Sequence, residues 1–154
     1  MTATTHALEV AQIAAQAAAD KLTAPFAQQI VGFDVSEHVG ITDIFLIISA
    51  SNERQVGSVV DNIEQQLSAV GERPLSREGV GENRWVLLDY ADVVIHVQHE
   101  DERQLYGLER LWRDCARVPL AVHEQPAEQA DAPASEVAPG SAGRPGSQSA
   151  PGMA

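Results

Sequence analysis

Residues 85–99 read WVLLDYADVVIHVQH, two β-rich runs that meet around Tyr90 and Ala91. That pattern predicts an antiparallel hairpin. Side chains on a strand alternate between faces, so the parity of the loop decides what each face holds. A loop with an even number of residues sets Asp89 opposite Asp92 and Leu88 opposite Val93. Val86, Leu88, Val93, Ile95 and Val97 then share one wholly apolar face, the expected core. The other face carries Trp85, Leu87, Asp89, Asp92, Val94, His96 and Gln98, and meets something less dry than a core.

The rest of the chain supplies layers for such a sheet. Thr4 or Thr5 can cap a helix running to about Leu22, with Ala7, Ala11, Ala14 and Ala18 at helical spacing, and Pro25 closes that region. Ile30 to Val35 and Ile44 to Ser49 read as strands. Ser51 or Asn52 can cap the clearest helix, in which Val56, Val59, Val60, Ile63, Leu67 and Val70 form one apolar stripe. Gly71 suits its left-handed terminus and Pro74 blocks continuation. A final helix beginning near Asp101 places Leu105, Leu108, Leu111 and Trp112 at helical steps and is expected to pack back onto the sheet.

After Leu120 the composition changes. Residues 121–154 hold 9 Ala, 5 Pro, 4 Gly and 4 Ser, which leaves too little apolar surface for a core. The expectation is a domain over 1–120 and a disordered tail over 121–154. The whole chain carries 10 basic and 22 acidic side chains, a formal charge of −12. Without the tail's Arg144 and four acids, 9 basic and 18 acidic groups remain, so the domain itself is acidic at about −9. This charge excludes a basic nucleic-acid binder and disfavours any direct sequence-specific contact with nucleic acid. The lone Cys115, with no basic and apolar leader at the start, leads to a cytoplasmic expectation. The Ile44–Ala50 run covers about a third of the roughly 20 residues that a membrane helix needs.

Catalytic patterns are missing. Two-carboxylate metal chemistry needs acids such as an Asp-x-Asp on one strand face, where this chain offers Asp34 and Ser36. Glu100, Asp101 and Glu102 are accounted for by the positive end of a helix, and His96 and His99 point to opposite faces of a strand. Gly79 and Gly81 precede a strand, so they form a turn rather than a phosphate cradle. Arg113 and Arg117 could lower the pKa of Cys115, but no base or oxyanion arrangement accompanies it. Capping accounts for the Ser49–Gln55 strand-to-helix junction, where backbone N–H groups could otherwise meet an anion. No catalytic residue, cofactor or metal is therefore expected. Trp85 keeps two readings, a sheet-to-helix contact or an anchor for a partner.

Several motifs in order resemble the ribosomal silencing factor family, also called RsfS or Iojap. They are Asp34-Val35-Ser36, Thr42-Asp43-Ile44-Phe45-Leu46-Ile47-Ile48-Ser49, Arg54-Gln55, Arg77-Glu78-Gly79, Arg84 through Tyr90 with Asp92, Val94-Ile95-His96-Val97, and Glu102-Arg103 through Leu111-Trp112. The resemblance spans about residues 6–118. It departs from the usual pattern at Ala50 and Ala91, where a Gly is common. It implies an α/β fold, a single mixed sheet flanked by helices, nucleotidyltransferase-like without the catalytic acids. It further implies binding to the large ribosomal subunit through ribosomal protein L fourteen, which prevents subunit joining and lowers translation. The contact positions it implies are Trp85 and Tyr90, with Asp89, Asp92 and Glu100 as acidic neighbours.

Ribosomal L proteins are generally basic, so an acidic domain is drawn to them while exposed RNA repels it. Two other functions use the same residues differently: an assembly adaptor that binds the large subunit without blocking it, and a metal-dependent nucleotidyltransferase-like enzyme. A homodimer through the mixed hairpin face or the Ala-rich first helix is a further expectation.

Overall fold

A computed structural model of the chain describes residues 2–23, 29–38 and 40–123. The expected stop at Pro25 and the tail from residue 124 onward lie outside the described residues. Helix α1 spans Thr5–Ala19 and is capped by Thr4, whose hydroxyl accepts a hydrogen bond from the Ala7 amide at 3.1 Å. The helix stops short of Leu22, which nevertheless packs into the core. Helix α2 spans Glu53–Ala69 and is capped by Asn52, which accepts from the Gln55 amide at 2.8 Å. Gly71, at φ 86°, follows its end.

Strands β1 (Ile30–Asp34), β2 (Ile44–Ala50), β3 (Ser76–Glu78), β4 (Trp85–Asp89), β5 (Val93–His99) and β6 (Ala116–Arg117) form one sheet in the order β3-β4-β5-β2-β1-β6. The β2–β5 pair is parallel and the other pairs are antiparallel, so the sheet is mixed. Two of these strands, β3 and β6, are too short and polar to announce themselves by alternation.

The hairpin register differs from the expected one by two residues. Asp89 faces Val94 instead of Asp92, and Leu88 faces Ile95 instead of Val93. The three-residue connection, Tyr90 to Asp92, contains Ala91 at φ 71° and has the Asp92 amide bonded to the Tyr90 carbonyl and the Tyr90 amide bonded to the Val93 carbonyl. An i to i+2 bond around a residue at that φ closes a γ-turn, a strained conformation for a residue that carries a Cβ. The Asp89 carboxylate braces it by accepting from the Ala91 amide at 2.8 Å. A shift of two preserves parity, so both faces keep the composition expected of them.

Val86, Leu88, Val93, Ile95 and Val97 are fully buried on the face covered by α1 and α2. Ile44, Leu46 and Ile48 of β2 extend that layer, and the alanines of α1 let the helix lie close to α2 and the sheet. Ala11, Ala14, Ala15 and Ala18 are therefore consumed inside the protomer, which removes the Ala-rich face as a surface for self-pairing. The opposite face packs Val31, Phe33, Val35 and Ile47 under a much thinner cover. That cover is helix α3 (Glu100–Tyr106) followed by a 3₁₀ turn, Leu108–Trp112.

The expected single terminal helix is broken. Gly107 adopts φ 54° between the two pieces, a left-handed geometry that ends a helix, and its Cα lies against Arg110. The break leaves Leu105 and Leu111 exposed at 73% and 69%, while Leu108 and Trp112 reach the sheet.

Hydrogen bonding continues beyond Leu120. The side-chain amide of Gln12 both accepts from the Ala121 amide and donates to its carbonyl, and Gln16 treats His123 in the same way. Glutamines four apart on α1 thus meet residues two apart on an extended chain, as a neighbouring strand would.

Replacing Ala14 by Leu should destabilise the fold by about 1–3 kcal/mol through overpacking, measured by urea unfolding. A chain ending at His123 should unfold like the full protein. One ending at Leu120 should lose about 1–2 kcal/mol, because both glutamines lose their backbone partners.

Candidate functional site

The thinly covered face carries a row of rings. Tyr106 of α3 stacks against Trp85 of β4 with centroids 4.9 Å apart, and Trp85 lies 6.0 Å from His96 of β5. His96 lies 5.5 Å from Phe45 of β2, which meets Trp112 edge-on at 4.9 Å. Five rings from three adjacent strands and their cover therefore form a continuous string. Strand parity explains the three inner members, since Leu87 pairs with His96 and Phe45 with Val94 across neighbouring strands.

Each ring is held differently. The Trp85 indole donates its N–H to Nδ1 of His96 at 3.1 Å, which fixes His96 as the tautomer with its proton on Nε2. Burial pushes the His96 pKa down to about 4, so this imidazole is neutral at physiological pH. Gly79, at φ 81°, lets the β3–β4 turn approach so closely that a Cβ would sit 2.0 Å from the Trp85 carbonyl oxygen. Trp85, Phe45 and Trp112 remain partly exposed, as do Leu87 and Val94 between them, and Tyr106 is 54% exposed. Each half of the cover contributes exposed apolar groups but no buried residue.

Ion pairs fasten the cover. Arg84 donates to Glu102 at 2.7 and 3.1 Å and to Glu53 at the start of α2 at 2.9 Å. Arg103 reaches Glu109, the Ser49 hydroxyl and the Gln29 carbonyl. The His99 imidazole caps α3 by accepting from the Asp101 amide at 3.0 Å.

The five residues singled out from sequence are not brought to one spot. Trp85 is cross-strand from Gln98, close to the end of β5 that leads into the exposed Glu100. Asp89 and Asp92 sit at the hairpin turn, and the eight steps from Asp92 to Glu100 correspond to about 26 Å of extended strand. Tyr90 lies on the other side of the sheet. It is 5% exposed within the α1–α2 core, and burial raises its phenol pKa to about 12. Its side chain supports the hairpin from beneath and shares no surface with Trp85.

Sequence reasoning placed Trp85 and His96 on one face but missed Phe45, Tyr106 and Trp112 as their companions. Parity on β2 could have found Phe45. Tyr106 and Trp112 join only because Gly107 interrupts the helix.

The remaining chemistry stays sparse. Burial and the negative charges of Asp114, Asp34 and Glu37 raise the Cys115 thiol pKa, the direction opposite to what Arg113 and Arg117 could have supplied. Among the described residues, no group of three or more His, Cys, Asp and Glu side chains is arranged to hold a metal ion, and no helix is long and apolar enough to cross a membrane.

The described residues thus form an acidic α/β domain with a half-open aromatic sheet face. The family model for the ribosomal silencing factor during starvation matches residues 4–143. The chain is 39% identical over 112 residues to the ribosomal silencing factor RsfS of Bacillus subtilis, covering 73% of this chain and 89% of that one. It is 30% identical over 87 residues to the chloroplastic protein Iojap of Zea mays, covering 54% and 36%. A crystal structure from Bacillus halodurans superposes with a TM-score of 0.61 at 36% identity, covering 73% of this chain and 98% of that one. A crystal structure from Chromobacterium violaceum gives 0.63 at 27% identity, covering 68% and 84%. The chain belongs to the ribosomal silencing factor family. Its class is that of ribosome-associated regulators of translation.

The neutral His96 makes stability pH-dependent. Its folded pKa lies near 4 and its unfolded value near 6.5, so the unfolded chain binds more protons between them. The contribution is complete above pH 6.5 and is lost as pH falls toward 4. Urea unfolding free energies of the protein and His96→Gln, compared between pH 7 and pH 4.5, should show a smaller decline in the variant.

Proposed function

We propose that this protein silences ribosomes by attaching to the large subunit through ribosomal protein L fourteen, where it occupies space that the small subunit requires. The observation that carries this reading is the ring row, an apolar strip left half-open by the protein's own cover, ending in the exposed Tyr106 and flanked by the exposed Leu105 and Leu111. Apolar area of this kind on a soluble chain marks a contact surface. Trp85 is its central anchor, and Asp89, Asp92 and Glu100 contribute acidic charge at the two ends of the hairpin. Tyr90 acts indirectly, by holding the turn that presents Asp89 and Asp92.

The energetics need no catalytic step. A standard interface buries about 1,600 Å² in total, and a few central aromatic residues supply most of its usable energy. Charge on a domain at about −9 steers it toward a basic protein patch and away from bare RNA. If factor and small subunit exclude each other, joining weakens by RT ln(1 + [L]/Kd), about 2.7 kcal/mol when the free factor is 100 times its Kd. Silencing then tracks the abundance of the factor.

Sedimentation of purified large subunits with this protein, followed by addition of small subunits, tests attachment and exclusion together. Cosedimentation with fewer joined particles is expected. Unhindered joining with the protein still attached would favour the assembly adaptor. Trp85→Ala should weaken attachment by about 2–4 kcal/mol, roughly 30- to 1000-fold, while circular dichroism shows the fold retained. Tyr106→Ala, at a more exposed position, should weaken it in the same direction.

A further inference from the structure

A third of the cations in the acidic body converge on one cavity that none of the five rings lines. Residues 1–120 contain nine lysine and arginine side chains. Three of them, Arg103, Arg110 and Arg117, line a cavity of about 650 Å³ with Ser49, Glu100 and Glu109. The cavity runs over the thinly covered sheet face, from Ser49 near the carboxyl end of β2 and Glu100 just after β5, past Val31 of β1, to Arg117 of β6. Its volume falls within the range of small-molecule sites, roughly 300–1,000 Å³.

The three arginines differ in what they have left to give. Arg103 is a fixed wall: it donates to the Gln29 carbonyl and the Ser49 hydroxyl at 2.9 Å each, and to Glu109 at 3.0 and 2.8 Å. Glu109 matches its charge. Arg117 lies over the Phe33 ring, 5.2 Å from the centroid, which orients the guanidinium without neutralising it. Arg110 is held against Gly107, where a Cβ would come within 3.0 Å of its guanidinium carbon. Among the described residues, Arg110 and Arg117 form no ion pair within bonding distance. Three arginines against two glutamates leave the cavity with one excess positive charge inside a protein of charge −12.

We propose that this cavity binds a small phosphorylated molecule carrying a diphosphate group. Planar guanidinium forks pair with phosphoryl oxygens in bidentate fashion, and a diphosphate presents oxygens to two of them at once. The Ser49 hydroxyl accepts from Arg103, so its own proton remains available to a phosphoryl oxygen. A long RNA chain fits less well, because Glu100 and Glu109 line the same cavity and the surrounding domain is acidic. This assignment does not rest on attachment to the ribosome, and Glu100 is the one residue the two proposed surfaces share.

Calorimetric titration of the full chain with inorganic pyrophosphate, and separately with adenosine diphosphate, tests the site. Saturable binding of one equivalent is expected. Arg110→Ala and Arg117→Ala should each weaken it at least tenfold, whereas Arg54→Ala and Arg113→Ala, outside the cavity, should stay within twofold. Thermal unfolding midpoints check that each variant folds. The proposal is overturned by an absence of binding at millimolar ligand, by equal weakening in all four variants, or by displacement with single-stranded RNA at equal phosphate concentration. Since ribosome cosedimentation is measured without these ligands, either proposal can fail alone.

Discussion

The full-length pairing of β5 between β2 and β4 is the constraint on which the architecture depends. Seven residues of β5 run beside seven of β2, and β4 closes the other edge in a register that keeps parity across all three strands. Alternation then sends every second residue into the α1–α2 core and the intervening ones to the opposite face. One period-two pattern thus creates a dry layer of Val, Ile and Leu on one side and a layer of rings and amides on the other. The core contributes stability, and the second layer is left with polar groups to satisfy, which the Trp85–His96 hydrogen bond does in part.

Much of the fold was legible because its information is local. The helix caps at Thr4 and Asn52, the apolar stripe of α2 and the composition of the hairpin faces follow from residues close together in the chain. The exact register was not legible, since parity leaves shifts of two residues equivalent and the γ-turn around Ala91 is set by closing the hairpin. The site was read less completely. Trp85 stood out by size and parity, but its companions come from β2, α3 and the 3₁₀ turn, which only the tertiary fold assembles. The family resemblance implied Tyr90 as a contact beside Trp85, yet an odd step in sequence sends the two to opposite sides of the sheet.

Charge and apolar area have separate tasks. The acids of the hairpin turn and of the α3 entrance lie at opposite ends of β5, about 26 Å apart, rather than gathered into a metal-binding cluster. In the proposed role that distribution steers a partner instead of performing chemistry. The arginines, being few, are concentrated: Arg84 and Arg103 hold the cover, and Arg110 and Arg117 face an open cavity.

The fastening of α3 has a mechanical consequence. With no buried side chain of its own, the short helix that carries Tyr106 is moored to the body largely through charged and polar groups, above all the guanidinium of Arg84. Such moorings are partly exposed and slacken as counterions accumulate, whereas the valine and isoleucine layer beneath the sheet is indifferent to them. Ionic strength can therefore loosen the outermost ring while leaving the body rigid, giving one small domain two independent degrees of firmness.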